Sequence, residues 1–188
     1  MVTSVVPTIS VNKNRIKTIA STVCQRLGLL QADLSIHFVG TRKMRTLNRE
    51  YRGKDKSTDV LSFSQVFFQN PLLPVAAAQR GKVSNNKLGR SSQRSQPAPS
   101  ALLLGDVVIS VTDAKKNAKK AGHPTEKEIC LLLVHGILHL CGHDHETLTD
   151  EKKMFHLQDQ FMELLRRDKQ SLTSAPAWRN LVRMKGKI

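Results

Sequence analysis

Residues 125–141 read TEKEICLLLVHGILHLC, and the apolar residues among them leave almost no helical face polar. Leu131, Leu132, Val134, Ile137, Leu138 and Leu140 surround a 3.6-residue repeat instead of forming one stripe along it. A helix of that kind is stable only when other elements cover most of its sides, so it belongs at the centre of a domain. TEKE reads as a capping box, with Thr125 as N-cap and Glu128 three residues on. Gly142 then ends the helix in a left-handed conformation. The apolar run at 129–134 is far too short to span a bilayer.

Two imidazoles on a buried apolar helix need partners. His135 and His139 are four apart and share a face, and the turn at Gly142 lets His145 return as a third donor, in the spacing H-x₃-H-x₅-H. One reading is a metal centre; the other is core histidines satisfied by backbone carbonyls. Three neutral imidazoles suit Zn²⁺, one per chain, with a fourth position open to water, which is a catalytic and not a structural arrangement. Cys141 or Cys130 could in principle add a thiolate, although Cys141 falls on a different helical face from His139. The spacing matches the long zincin pattern, glycine included, except that Gly136 stands where a metalloprotease carries its general-base glutamate. Peptide hydrolysis is therefore disfavoured, and the H-x-E and P-C-x-x-C pattern of zinc deaminases is absent. A metal hydrolase relying on the ion and on positive charge remains.

Charge narrows the substrate. Thirty Lys and Arg against 15 Asp and Glu give a formal net charge of +15, which points to an acidic polymer, most commonly nucleic acid, or else to a well-solvated surface. Aromatic residues make up only 4 %, so recognition by phosphate and shape is expected over a surface of stacking rings. Lys115, Lys116, Lys119 and Lys120 share one broad helical face that could track an RNA backbone or simply be solvated.

The chain as a whole reads as one α+β domain, with a mixed four-stranded sheet packed with about five helices, the central one carrying the motif. Strands are expected at residues 5–11, 33–39 and 59–64 and in LLLGDVVISV, and helices at 12–29, 41–50, 112–121 and 149–167. Residues 70–100 hold five basic and no acidic residues and are rich in Ser, Gln, Asn, Pro and Ala, so they read as a low-complexity insertion. Residues 1–168 are taken as the domain and 169–188 as a basic tail. Cys24, Cys130 and Cys141 are odd in number and form no C-x-x-C pair, which suggests free thiols. No acidic residue precedes Asp33, as in an organellar transit peptide, but the helix expected from residue 12 leaves little to cleave. The cytoplasm and no membrane association are expected; the oligomeric state is left open.

HGILHLCGHDH at 135–145, LNREYRGKDKSTDVLSF at 47–63 and LGDVVIS at 104–110 together resemble the motifs of the YbeY family. The resemblance implies a zinc-dependent, single-strand-selective endoribonuclease acting in ribosomal RNA maturation, including the 3′ end of 16S rRNA, and in ribosome quality control. It implies single-stranded RNA, ribosomal RNA and the small ribosomal subunit as partners, and a zincin-like fold with the metal in a basic cleft. Carried over by position, the zinc ligands are His135, His139 and His145, and the functional arginine is Arg52. His143 replaces the family's usual aromatic residue, as an added ligand or proton carrier or as a tolerated substitution, and Ser64 replaces its usual proline.

The chemistry can be argued beside the resemblance. Zinc held by neutral histidines, His135 among them, keeps its full charge and supplies hydroxide without a carboxylate. Arg52 offers a planar fork for phosphate oxygens, or is a surface arginine in the polar YRGKDK turn. Asp144 and Asp106 are candidates to orient a ligand imidazole, and Asp106 could equally cap the turn after Gly105. Asp59 could simply start its strand. The alternative function is a ribosome-assembly or RNA-binding factor in which zinc mainly holds the fold.

Overall fold

The computed structural model describes residues 2–4, 12–65 and 102–171. The expected strand at 5–11, the insertion at 70–100 and residues 172–188 of the tail lie outside them. In chain order the elements are β1 (Val2–Ser4), α1 (Lys13–Arg26), β2 (Ala32–Val39), α2 (Thr41–Arg52), β3 (Val60–Ser64), β4 (Leu102–Ser110), α3 (Val111–Lys120), α4 (Thr125–Leu140) and α5 (Leu148–Ser171). The sheet order is β1-β2-β4-β3, with β3 antiparallel to β4 and the other pairs parallel. The α+β, single-domain expectation agrees with this mixed sheet and these five helices.

Alternation along the strands assigns the two faces of the sheet. Ile36 and Phe38 of β2 and Leu104, Val107 and Ile109 of β4 are buried with α1, α4 and α5 in the main core. Val39, Leu61 and Val108 point the other way and pack with Met44 of α2 in a smaller cluster. The motif helix is thus central: α4 touches β3, β4, α1, α3 and α5. Gly105, at φ +135°, sits so close to β3 that a Cβ there would lie 2.1 Å from the Phe63 carbonyl oxygen, so only glycine lets these strands pair.

Helix ends depart from expectation in instructive ways. Thr125 is not the N-cap of α4. Pro124 holds that position, with φ −61° and ψ 142°, and makes no side-chain cap. Its carbonyl accepts the amides of Lys127 (3.0 Å) and Glu128 (3.3 Å), so the helix starts on backbone bonds. Glu128 does not turn back to box the cap; it is buried and pairs with Nε2 of His123 at 3.2 Å. The C-terminus behaves as its glycine predicts. Gly142 has φ 82°, its amide donates to the His139 carbonyl, and the His143 amide donates to that of Leu138, a Schellman closure. α2 runs two residues past its expected end, placing Arg52 in the last helical turn before Gly53 at φ 67°. α5 continues to Ser171, through the boundary expected at 168.

Gly136 sets how closely α4 approaches the sheet. A Cβ at this position would lie 2.7 Å from Cγ1 of Val107 and 3.1 Å from Oγ of Ser62, and that hydroxyl donates to the Gly136 carbonyl at 3.1 Å. A glutamate cannot stand here, because the strand occupies the space. Gly136→Ala gains about 1 kcal/mol of helix propensity but forces a methyl against the stiff, buried Val107, an overpacking of about 1–3 kcal/mol. The variant is therefore expected to melt at a lower temperature than the parent chain in a calorimetric scan. An unchanged or raised Tm would refute this account of the glycine.

Candidate metal centre

α4 and its C-terminal turn bring His135, His139 and His145 together, with one ring nitrogen from each lying within 4.8 Å of the other two. His135 and His139 are half-buried and His145 is exposed, so the cluster opens to solvent on the side of the turn. The two helical imidazoles meet edge to face, and their Nε2 atoms are 3.1 Å apart. Two nitrogens bound tetrahedrally at zinc distances stand about 3.3 Å apart. The pair therefore has the spacing of two corners of one coordination sphere, and the donor set fits zinc. The His145 ring is nearly parallel to Phe155 of α5, with centroids 6.2 Å apart, which gives this exposed imidazole an apolar backstop.

The rings are oriented from behind. Oε1 of the buried Gln158 lies 3.0 Å from Nδ1 of His135. With the Nδ1–H donating to that oxygen, the Nε2 lone pair is left free to point into the cluster. Asp144 works from the turn: its Oδ1 accepts the His145 amide at 2.7 Å and lies 4.0 Å from Nδ1 of His139.

Burial and mutual repulsion disfavour the charged form of the two helical imidazoles. His139 is lowered to about 4, chiefly by burial and then by His135 and His145, with Asp144 opposing. His135 is also lowered, again mainly by burial, while the Gln158 hydrogen bond and the Asp59 carboxylate pull the other way. Neutral rings are the form that binds a metal ion.

The other candidates fall in different places. Asp106 does not orient a ligand of the cluster. It alternates with Val107 and so faces the opposite side of the sheet, where its Oδ1 lies 3.2 Å from Nε2 of His37 and its Oδ2 accepts from Gln65 at 3.0 Å. Asp59 accepts from Asn117 of α3 (3.0 Å) and from the Val60 amide (2.9 Å), anchoring the start of β3. Arg52 is exposed at the end of α2. Lys115, Lys116, Lys119 and Lys120 are exposed opposite the buried Ala114 and Ala118, and Lys116 pairs with Asp113. Neither thiol joins the cluster: Cys130 is buried in the core, and burial pushes Cys141 up to about 12. Among the described residues His143 is likewise outside the metal-binding group.

Sequence reasoning missed Gln158. A signal existed: Met154, Gln158 and Phe161 form a buried i, i+4, i+7 stripe, and a lone amide on such a stripe needs a buried partner.

The site yields a direct expectation. Elemental analysis of protein purified without a histidine tag should find about one zinc per chain, lost or strongly weakened in His139→Ala. Gln158→Leu should leave the fold intact and weaken zinc binding about 10–100-fold in a competition titration, the usual range for losing such a supporting bond. Full zinc retention in His139→Ala would rule out this ligand set.

Comparison with known proteins gives the family and agrees with the fold. The family described as Endoribonuclease YbeY matches residues 4–166. A protein named Endoribonuclease YbeY from Halalkalibacterium halodurans is 37 % identical over 131 residues, covering 69 % of this chain and 70 % of that one. Its namesake from Bacillus mycoides is 36 % identical over 132 residues, covering 70 % and 72 %. A solution structure from Thermotoga maritima superposes with a TM-score of 0.54 over 96 % of this chain and 99 % of that one, at 20 % identity, a likeness of fold. The matched span includes every strand and helix from α1 to α4 and the whole histidine cluster, and the chain belongs to the endoribonuclease YbeY family.

Proposed function

We propose that this protein is a zinc-dependent, single-strand-selective endoribonuclease of ribosomal RNA maturation, 16S 3′-end processing included, and of ribosome quality control. Its setting is the small ribosomal subunit in the cytoplasm, and its architecture is zincin-like, with residues 1–168 as the catalytic domain. No described helix is long and apolar enough to cross a membrane. One observation carries the reading: three imidazoles converge at a solvent-open site in a member of a family named for RNA cleavage.

Zinc bound there would supply Lewis acidity toward phosphate oxygens and acidify a water towards a pKa of about 7. The chain's own task is to hold the three donors together, oriented and open on one side. Burial depresses His135 and His139, Gln158 fixes the tautomer of His135, and Asp144 shapes the turn that returns His145. No carboxylate is needed at position 136, and the packing of Val107 and Ser62 leaves no room for one. Arg52 serves as the phosphate clamp, since a guanidinium offers two parallel donors to the oxygens that gain charge in the transition state. The exposed lysines of α3 are assigned to the RNA backbone, where their contribution falls with salt.

Arg52 separates chemistry from structure. Arg52→Ala is expected to keep its zinc and its melting temperature and to slow single-turnover cleavage of single-stranded RNA about a hundredfold, the scale of losing one oriented donor. Arg52→Lys should fall between, keeping the charge and losing the fork. Normal cleavage by Arg52→Ala would remove Arg52 from the mechanism. If the wild-type protein cuts no better than His139→Ala, the nuclease reading fails and an RNA-binding assembly factor takes its place.

A further inference from the structure

The face of the sheet turned away from α4 is only partly covered. α2 seals one part of it with Met44 and Leu47, over Val39 and Val108. Val39 and Val108 also floor a groove of about 560 Å³, whose other lining residues are His37, Lys43, Leu47, Tyr51, Phe63 and Asp106, within the usual size of a ligand pocket. None of its lining residues belongs to the histidine cluster, which lies on the α4 side of the sheet.

We propose that this groove is a second RNA contact, which takes one unpaired nucleobase of a bound single strand. The proposal rests on the RNA-directed reading above and adds a site to it.

Three features of the groove specify that ligand. The first is a stacking platform. Tyr51 and Phe63 meet edge to face with centroids 4.8 Å apart, and Tyr51 is 65 % exposed, so a ring face is open to solvent. In a chain with one tyrosine, one tryptophan and six phenylalanines, two rings presented together are a local exception to its aromatic poverty.

The second is the polar part of the floor. Asp106 receives His37 and Gln65 on its two oxygens, and its side chain is still 29 % exposed. An ionised carboxylate has about four acceptor sites, so capacity remains for N–H donors of a base edge, such as the cytosine amino group or guanine N1–H. The same negative charge repels a phosphate, so the base and not the backbone belongs on the floor.

The third is the rim. Of the basic residues of α2, Lys43 is the one that lines the groove, while Arg45 and Arg49 pair with Asp55. Lys43 stands in the groove's wall, placed for the phosphate of an inserted nucleotide. A lysine at the wall, an aromatic pair and a carboxylate acceptor beside apolar valines together match one nucleotide of an unpaired strand. A duplex keeps its bases stacked inside and cannot fill the groove. An apolar protein segment would leave the carboxylate and the basic helix unmatched.

The test uses full-length, zinc-loaded protein and a single-stranded RNA carrying 5-iodouridine, which couples to a stacked aromatic ring under ultraviolet light. The expected crosslink lies in the peptide containing Tyr51, the chain's only tyrosine. In steady-state cleavage, Tyr51→Ala and Lys43→Ala should each raise KM about tenfold, the scale of losing one stacked base. kcat and zinc content should stay unchanged, and Tyr51→Phe should restore KM. Crosslinks confined to other peptides, or an unchanged KM in both alanine variants, would overturn the proposal, as expected of a groove that docks protein. Crosslinking through Tyr51 without any cleavage would sink the nuclease reading and leave the groove standing. Cleavage with wild-type KM in both variants would do the reverse.

Discussion

The close approach of α4 to the sheet at Gly136 is the constraint on which the site depends. With no Cβ in the way, Val107 and Ser62 reach the helix backbone, and the Ser62 hydroxyl bonds the Gly136 carbonyl. That contact fixes the rotation of the helix. Once the Gly136 side is spent on the sheet, the face carrying His135 and His139 is set against α5 and the turn after Gly142. A glutamate one residue after the first histidine would have to displace a buried strand. The lack of a glutamate at position 136 is thus a consequence of packing as well as a statement about chemistry.

Burying two imidazoles on an otherwise apolar helix costs stability unless each is oriented and paired. Gln158 meets that need for His135, and a hydrogen bond to the His143 backbone in the turn does so for His139. The same burial that would penalise a protonated ring keeps it neutral and ready for a cation. The sheet then acts as a partition. Its α4 face holds a cluster suited to a metal ion, and its α2 face holds a groove with an aromatic pair and Lys43 in its walls. Strand alternation alone decides which residue serves which side.

Much of this was legible in the sequence because it is written in local patterns. The all-round apolar residues placed α4 at the centre, Gly142 marked its end, and the spacing of the three histidines placed their nitrogens together. What escaped depends on contacts between distant segments. TEKE looks like a capping box, yet His123 and the geometry of Pro124 divert Glu128 and move the cap by one residue. Asp106 looked like support for a ligand imidazole. Spacing shows that it alternates with Val107 but not which face meets α4, and the histidine it pairs with is His37. Gln158 lies 23 residues from His135, and only the packing of α5 on α4 joins them. Tyr51 and Phe63 come from a helix and an edge strand, so their meeting has no periodic signal.

The central claim is that the three-histidine cluster makes this protein a metal-dependent ribonuclease. The most direct measurement titrates zinc into metal-free protein and follows, on the same samples, bound metal and the cleavage rate of a defined single-stranded RNA beside its duplex form. The account predicts a rate that rises in proportion to occupancy, saturates at about one zinc per chain and is far slower on the duplex. Equal cleavage by the metal-free protein, or no cleavage once the cluster is filled, would contradict it.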